Sequence, residues 1–61
     1  MNDQKIKVLV ADDSAMMRTF LVHLLESDPR IQVVGAVDDG QAALDFVARG
    51  KPDVVLMDIH M

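Results

Sequence analysis

Three short apolar runs in this chain are each closed by aspartate. Ile6 to Ala11 ends in Asp12-Asp13, Ile31 to Val37 in Asp38-Asp39, and Val54 to Met57 in Asp58. The runs are rich in β-branched residues and almost continuously apolar. That suits strands buried on both faces, as in a parallel sheet, more than strands with one wet face. Acids where such strands emerge are costly. At an effective dielectric of about 20, two like charges roughly 4 Å apart repel by about 4 kcal/mol. A cluster of this kind calls for a cation or raised pKa values.

Helical signals fill the gaps between the runs. Ser14 is a helix cap, and Met17, Phe20, Leu21, Leu24 and Leu25 follow at helical spacing. Pro29 disfavours α geometry at Asp28, so this helix should end near Ser27. Gly35 weakens the second strand or marks a close backbone approach. Asp38, Asp39 and Gly40 read as a turn and cap. A short helix over Gln41 to Arg49 follows, with Ala43, Leu44 and Val47 on one face. Gly50 is its expected C-terminal stop, and Pro52 enforces it. Asp53 to Asp58 is the third strand.

Strands alternating with helices imply parallel pairing through right-handed crossovers. A doubly wound α/β sheet in the order 2-1-3 sets the first strand beside the third. Asp12, Asp13 and Asp58 then converge at the switch point where such sheets bind ligands. With 61 residues there is at most one small domain, and domains of this size are marginal. Net charge is −4, so neither nucleic acid nor an anionic membrane surface is an expected partner. No cysteine is present, which excludes a disulfide framework and thiolate metal sites. No run nears the ~20 apolar residues of a membrane span. The N-terminus lacks a signal-peptide pattern, so the cytoplasm is the expected compartment.

Three carboxylates without His or Cys in the set favour a hard cation. Mg²⁺ fits, because it binds a few carboxylates, keeps waters and pairs with phosphoryl oxygens. A carboxylate can also be a nucleophile and form an aspartyl phosphate. Milder readings exist for each residue. An acidic pair at a strand end is often a helix cap; Asp58 in the matching position weighs against that here. Asp38 and Asp39 read as caps, Ser14 as a cap rather than a nucleophile, His23 as a packing or surface residue of the first helix, and Arg18 as part of a solvated helix face more than a partner contact. Met16, Met17, Met57 and Met61 read as core or interface fillers.

Val8 to Ser14 (Val-Leu-Val-Ala-Asp-Asp-Ser) and Pro52 to Met61 (Pro-Asp-Val-Val-Leu-Met-Asp-Ile-His-Met) resemble the receiver domain of bacterial two-component response regulators. The spacing of 45 residues from Asp13 to Asp58 and the Asp-Gly before the second helix belong to the same pattern. The stretches Asp-Asp-Ser-Ala-Met-Met-Arg and Ser-Asp-Pro-Arg-Ile-Gln-Val-Val-Gly look most like receivers of chemotaxis protein-glutamate methylesterases; receivers attached to DNA-binding output domains use similar segments. The resemblance implies a flavodoxin-like fold. It implies phosphoryl transfer from a sensor histidine kinase onto Asp58. It implies Mg²⁺ held by Asp13 directly, by Asp12 through water, by Asp58, and by the backbone carbonyl of His60.

The family's domain has five strand-helix units, so residues 1–61 are expected to be its first half, without strands four and five or an output domain. The third strand would then be an edge, expected to drive self-association or leave the chain partly molten. Three other functions compete. An aspartate-dependent phosphatase would carry Asp-x-Asp after the first strand, where this chain has Asp-Asp-Ser-Ala. A nucleotide or flavin binder would need a phosphate loop rich in Gly, Ser or Thr there. An inert fragment serving only assembly is the remaining alternative.

Overall fold

The computed structural model describes residues 4–58. Its elements run β1 (Ile6–Ala11), α1 (Ala15–Glu26), β2 (Ile31–Val37), α2 (Gly40–Gly50) and β3 (Val54–Met57). The three strands form one sheet in the order β2-β1-β3, and both pairings are parallel. The expected α/β topology and strand order therefore hold.

The central strand is the core. Val8, Leu9, Val10 and Ala11 are all buried, with Leu9 and Val10 fully so. Their continuous apolar run is what burial on two faces requires. On one face Leu9 and Ala11 pack with Ala43 of α2, and Val37 and Phe46 close around them. The alternation of the strand turns Val8 and Val10 to the other face. The β1–β2 register shifts between Val8 and Leu9: Val8 pairs with Val33, but Leu9 pairs with Gly35. Val34 is the extra residue of this bulge.

Gly35 answers a steric demand. A Cβ there would lie 2.6 Å from Phe46 Cε2 and 3.2 Å from Leu9 Cδ1. Gly50 meets the same ring from the other side, where a Cβ would sit 2.7 Å from Phe46 Cε1. Phe46 is thus seated between two glycines.

This changes the expected end of the second helix. Gly50 is the last helical residue, and Lys51 takes the left-handed turn with φ 46°. Its amide donates to the Val47 carbonyl at 3.2 Å. Space for Phe46, not backbone freedom, is what Gly50 supplies. The inward face also differs from the expected one. Ala43 is buried and Phe46 packs on the core, while Leu44 is exposed. Residues three and seven apart stack on one helix face, which selects Ala43, Phe46 and Gly50 and leaves Leu44 rotated away.

Helix α1 is covered less than its pattern implies. Leu21, Val22 and Leu25 are half-buried, whereas Met17, Phe20 and Leu24 are exposed. The helix lies mainly against β2 and β1, so the side of its apolar arc facing away from them has no cover among the described residues. All four residues of β3 are exposed as well. Their backbone is nonetheless well tied to β1. Asp53 donates its amide to the Lys7 carbonyl at 2.8 Å and accepts the Lys7 amide on Oδ2 at 2.9 Å.

The α1–β2 connection is a compact knot. Asp28 receives the Arg30 amide and Nε on Oδ1, and Nη2 on Oδ2 at 2.8 Å. The Arg30 carbonyl accepts from the Ile6 amide at 2.8 Å, so the turn starts the β1–β2 ladder. The Arg30 guanidinium and amide hold the Asp28 carboxyl down to about 2, from an ordinary value of 3.8.

Candidate metal centre

Parallel strands deliver their carboxyl ends to one rim of the sheet, and the acids sit there. Ala11 pairs with Met57 in the β1–β3 register. The residues one step further, Asp12 and Asp58, therefore leave the sheet side by side. The Asp58 amide donates to the Ala11 carbonyl at 3.0 Å, which extends the ladder to the acid itself. On the other flank the Asp12 amide donates to the Val37 carbonyl at 3.0 Å. Carboxylate oxygens of Asp12, Asp13 and Asp58 lie within 4.8 Å of one another.

The three differ in setting. Asp12 is buried, Asp58 half-buried and Asp13 exposed. A buried carboxylate needs donors. Asp12 Oδ1 accepts the Ser14 amide at 2.9 Å. Ser14 in turn caps α1, its hydroxyl accepting the Met17 amide at 3.2 Å. The hydroxyl is engaged as the cap reading requires. Asp39 caps α2 in the same way, accepting the Ala42 amide at 2.7 Å, and is not in the acidic cluster. His23 is exposed on α1. His60, whose carbonyl the resemblance assigns to the metal, lies outside the described residues.

An open cleft of about 330 Å³ adjoins the cluster, lined by Asp12, Asp58, Met17, Leu21, Leu56 and Met57 among others. Its acids are polar groups set among apolar walls. A larger cleft of about 520 Å³ lies at the opposite end of the sheet, lined by Lys5, Lys7 and Lys51 with Asp53 and two glutamines. It gathers no ligand set or nucleophile. The chemistry-bearing cleft is the smaller one, and charge is polarised along the strands, cationic at the amino end and anionic at the carboxyl end.

Three carboxylates at such range form an all-oxygen donor set with a formal charge of −3. This suits a hard divalent cation that retains waters, as Mg²⁺ does. Typical Zn²⁺ sites include His or Cys, and neither is in this set. The residues present thus fit a Mg²⁺ site.

The sequence marks these three acids, whereas Arg18 reads from it as part of a solvated helix face and proves to reach the acidic loop. Its Nη1 donates to the Asp12 carbonyl at 2.7 Å, and the residue is half-buried. The available signal was its place one turn after the cap, on the side of α1 that faces the acidic loop.

A family model described as the response regulator receiver domain matches residues 8–61. Among curated proteins, a protein-glutamate methylesterase/protein-glutamine glutaminase of Symbiobacterium thermophilum is 59% identical over 56 residues. Protein-glutamate methylesterase/protein-glutamine glutaminase 3 of Syntrophomonas wolfei is 57% identical over 56 residues. Each alignment covers 92% of this chain and 16% of the relative. Among solved structures, the signal receiver domain of the putative response regulator NarL from Mycobacterium tuberculosis superposes with a TM-score of 0.91 at 40% identity. That alignment covers 95% of this chain and 47% of the mycobacterial one.

Proposed function

Because this chain belongs to the response regulator receiver domain family, we propose that it is a phosphoacceptor module of a two-component phosphorelay. Asp58 takes the phosphoryl group, and a sensor histidine kinase supplies it from a phosphohistidine. The observation that carries this reading is the meeting of Asp12, Asp13 and Asp58 within 4.8 Å at the carboxyl ends of neighbouring strands.

Asp12, Asp13 and Asp58 would hold Mg²⁺, with the His60 carbonyl as a further ligand. When bound, the ion supplies positive charge that offsets repulsion between the acids and an incoming phosphoryl group. The rest falls to the chain. A carboxylate oxygen of Asp58 forms the new O–P bond as the N–P bond of the donor breaks, and the imidazole keeps the released electron pair and takes up a proton. Catalysis of this kind is mostly positioning and charge stabilisation. The ladder bond from the Asp58 amide to Ala11 provides the positioning.

The setting we propose is cytoplasmic, in chemotaxis or in transcription control. No helix among the described residues is long and apolar enough to cross a membrane. The methylesterase relatives are matched over 16% of their length, in their receiver portion. No esterase chemistry is assigned to these residues. We further propose that the exposed β3, paired only with β1 among the described residues, lets the chain self-associate.

The test is chemical. Incubation with Mg²⁺ and acetyl phosphate is expected to give one acid-stable, base-labile phosphoryl adduct per chain, located at Asp58. Absence of an adduct here, with labelling of a longer receiver under the same conditions, would favour a module that serves assembly alone. Sustained turnover of phosphomonoesters would point to a phosphatase instead.

A further inference from the structure

We propose that Arg18 is a positioning residue for the acidic cluster, holding the Asp12 peptide so that Asp13 faces Asp12 and Asp58. The inference rests on the metal-binding reading above and adds a residue outside the carboxylate set.

Asp12 is fixed by three different parts of the chain. Its amide donates to Val37 of β2 at 3.0 Å. Its carboxylate accepts from the Ser14 amide at 2.9 Å. Its carbonyl accepts from Arg18 Nη1 of α1 at 2.7 Å. The backbone of Arg18 is itself anchored, its amide donating to the Ser14 carbonyl at 2.9 Å in the first helical turn. A side chain rooted in that turn therefore reaches back six residues to the end of β1. A charged donor at this distance makes one of the stronger classes of hydrogen bond.

The Asp12 carbonyl belongs to the peptide that leads into Asp13. The Asp13 side chain is exposed, so what the fold fixes is the direction in which it leaves the backbone. Releasing the Asp12 carbonyl frees that peptide to rotate and swings Asp13 away from its neighbours. Arg18 thus does for Asp13 what outer-shell hydrogen bonds do for metal ligands generally. Loss of such partners costs about 10–100-fold in metal affinity. The guanidinium also carries a positive charge near the cluster, and that charge alone would oppose a cation. The two effects have opposite signs, which makes them separable.

The experiment compares the full chain with Arg18→Lys and Arg18→Ala by calorimetric Mg²⁺ titration, thermal unfolding and amide hydrogen exchange without metal. Lysine keeps the charge but lacks the planar fork. Both variants are expected to bind Mg²⁺ about tenfold more weakly, at the low end of that range. The Asp12 and Ser14 amides should exchange faster, while Leu9 and Val10 keep their rates. Unchanged affinity in Arg18→Lys with tighter binding in Arg18→Ala would mean that only charge matters, and overturns the proposal. Faster exchange throughout β1 and α1 at unchanged affinity would mean general stabilisation, and overturns it too. If the unaltered chain takes up no Mg²⁺, the metal reading itself fails. The tether is then decided by Asp12 and Ser14 exchange, and rates equal in all three chains refute it.

Discussion

The amide of Asp58 hangs from the carbonyl of Ala11, the residue just before the acidic pair. One backbone hydrogen bond therefore sets the spacing between two acids that are far apart in sequence. The site is built by the ladder and does not depend on a flexible loop for its two strand-end members.

Replacing Asp58 should separate chemistry from folding. Asp58→Asn is expected to abolish labelling by acetyl phosphate while leaving the fold intact. Removing one of three like charges relieves repulsion of roughly 4 kcal/mol per pair near 4 Å at an effective dielectric of about 20. The thermal midpoint without metal should stay level or rise. A fall of several degrees would show that Asp58 has a structural role.

Divalent ion should stabilise the chain in proportion to its affinity. At about 100 times its dissociation constant, Mg²⁺ is expected to add about 2.7 kcal/mol. The exposed Asp13 can be changed with little effect on packing, so Asp13→Asn should remove most of that gain and leave the metal-free stability close to the original. Equal Mg²⁺ stabilisation of both chains in thermal melts would exclude Asp13 as a ligand.

Phe46 couples two glycines, and substitution tests the coupling. Gly35→Ala brings a Cβ to 2.6 Å from the ring, which cannot retreat freely because Gly50 sits on its other side. Overpacking of this kind costs about 1–3 kcal/mol. Gly50→Ala should cost less, since alanine recovers about 1 kcal/mol of helix propensity. Denaturant melts of Gly35→Ala with Phe46→Leu should show the glycine substitution becoming milder. Strict additivity of the two changes would contradict the contact.

Acid should loosen the Asp28–Arg30 knot late. The folded carboxyl titrates at about 2, below its ordinary 3.8, because the Arg30 guanidinium and then its amide hydrogen-bond the charged form. A depressed folded pKa contributes stability above the unfolded value, and that contribution is lost as pH falls from about 4 through about 2. Carbon-detected NMR should place the Asp28 midpoint near 2, and Arg30→Ala should move it upward. A midpoint unchanged by that substitution would rule out the pairing as the cause.

The side of β3 that has no partner strand among the described residues underlies the proposed association. Val55→Lys places a charge on an exposed strand residue, a device by which natural edges avoid pairing. Sedimentation at micromolar concentration should show the parent chain self-associating and the variant shifted toward monomer. A parent chain that stays monomeric at those concentrations would remove the proposal.

Much of this was legible because strands and caps write themselves locally. The apolar runs located all three strands, and Ser14 and Asp39 located both helix starts. Order 2-1-3 then brought Asp12, Asp13 and Asp58 together. What escaped was information held in contacts. Gly50 looks like a helix stop until the Phe46 ring is seen against it. Leu44 is as apolar as any core residue, yet the turn of the helix faces it outward. Arg18 has the composition of a surface residue, and only the path of its side chain reveals the bond to Asp12. The matching residues of family members supplied the phosphoacceptor reading, which spacing alone leaves open between a metal site and paired caps.

The middle position of β1 has a consequence for biosynthesis. Of the described strands, the earliest in sequence is the one that needs both neighbours, and its second neighbour begins only at Val54. Contacts of such long sequence separation form slowly. Until β3 is made, Val8 to Ala11 lack a pairing partner along one side, and unpaired strand edges of that kind make a nascent chain prone to aggregation.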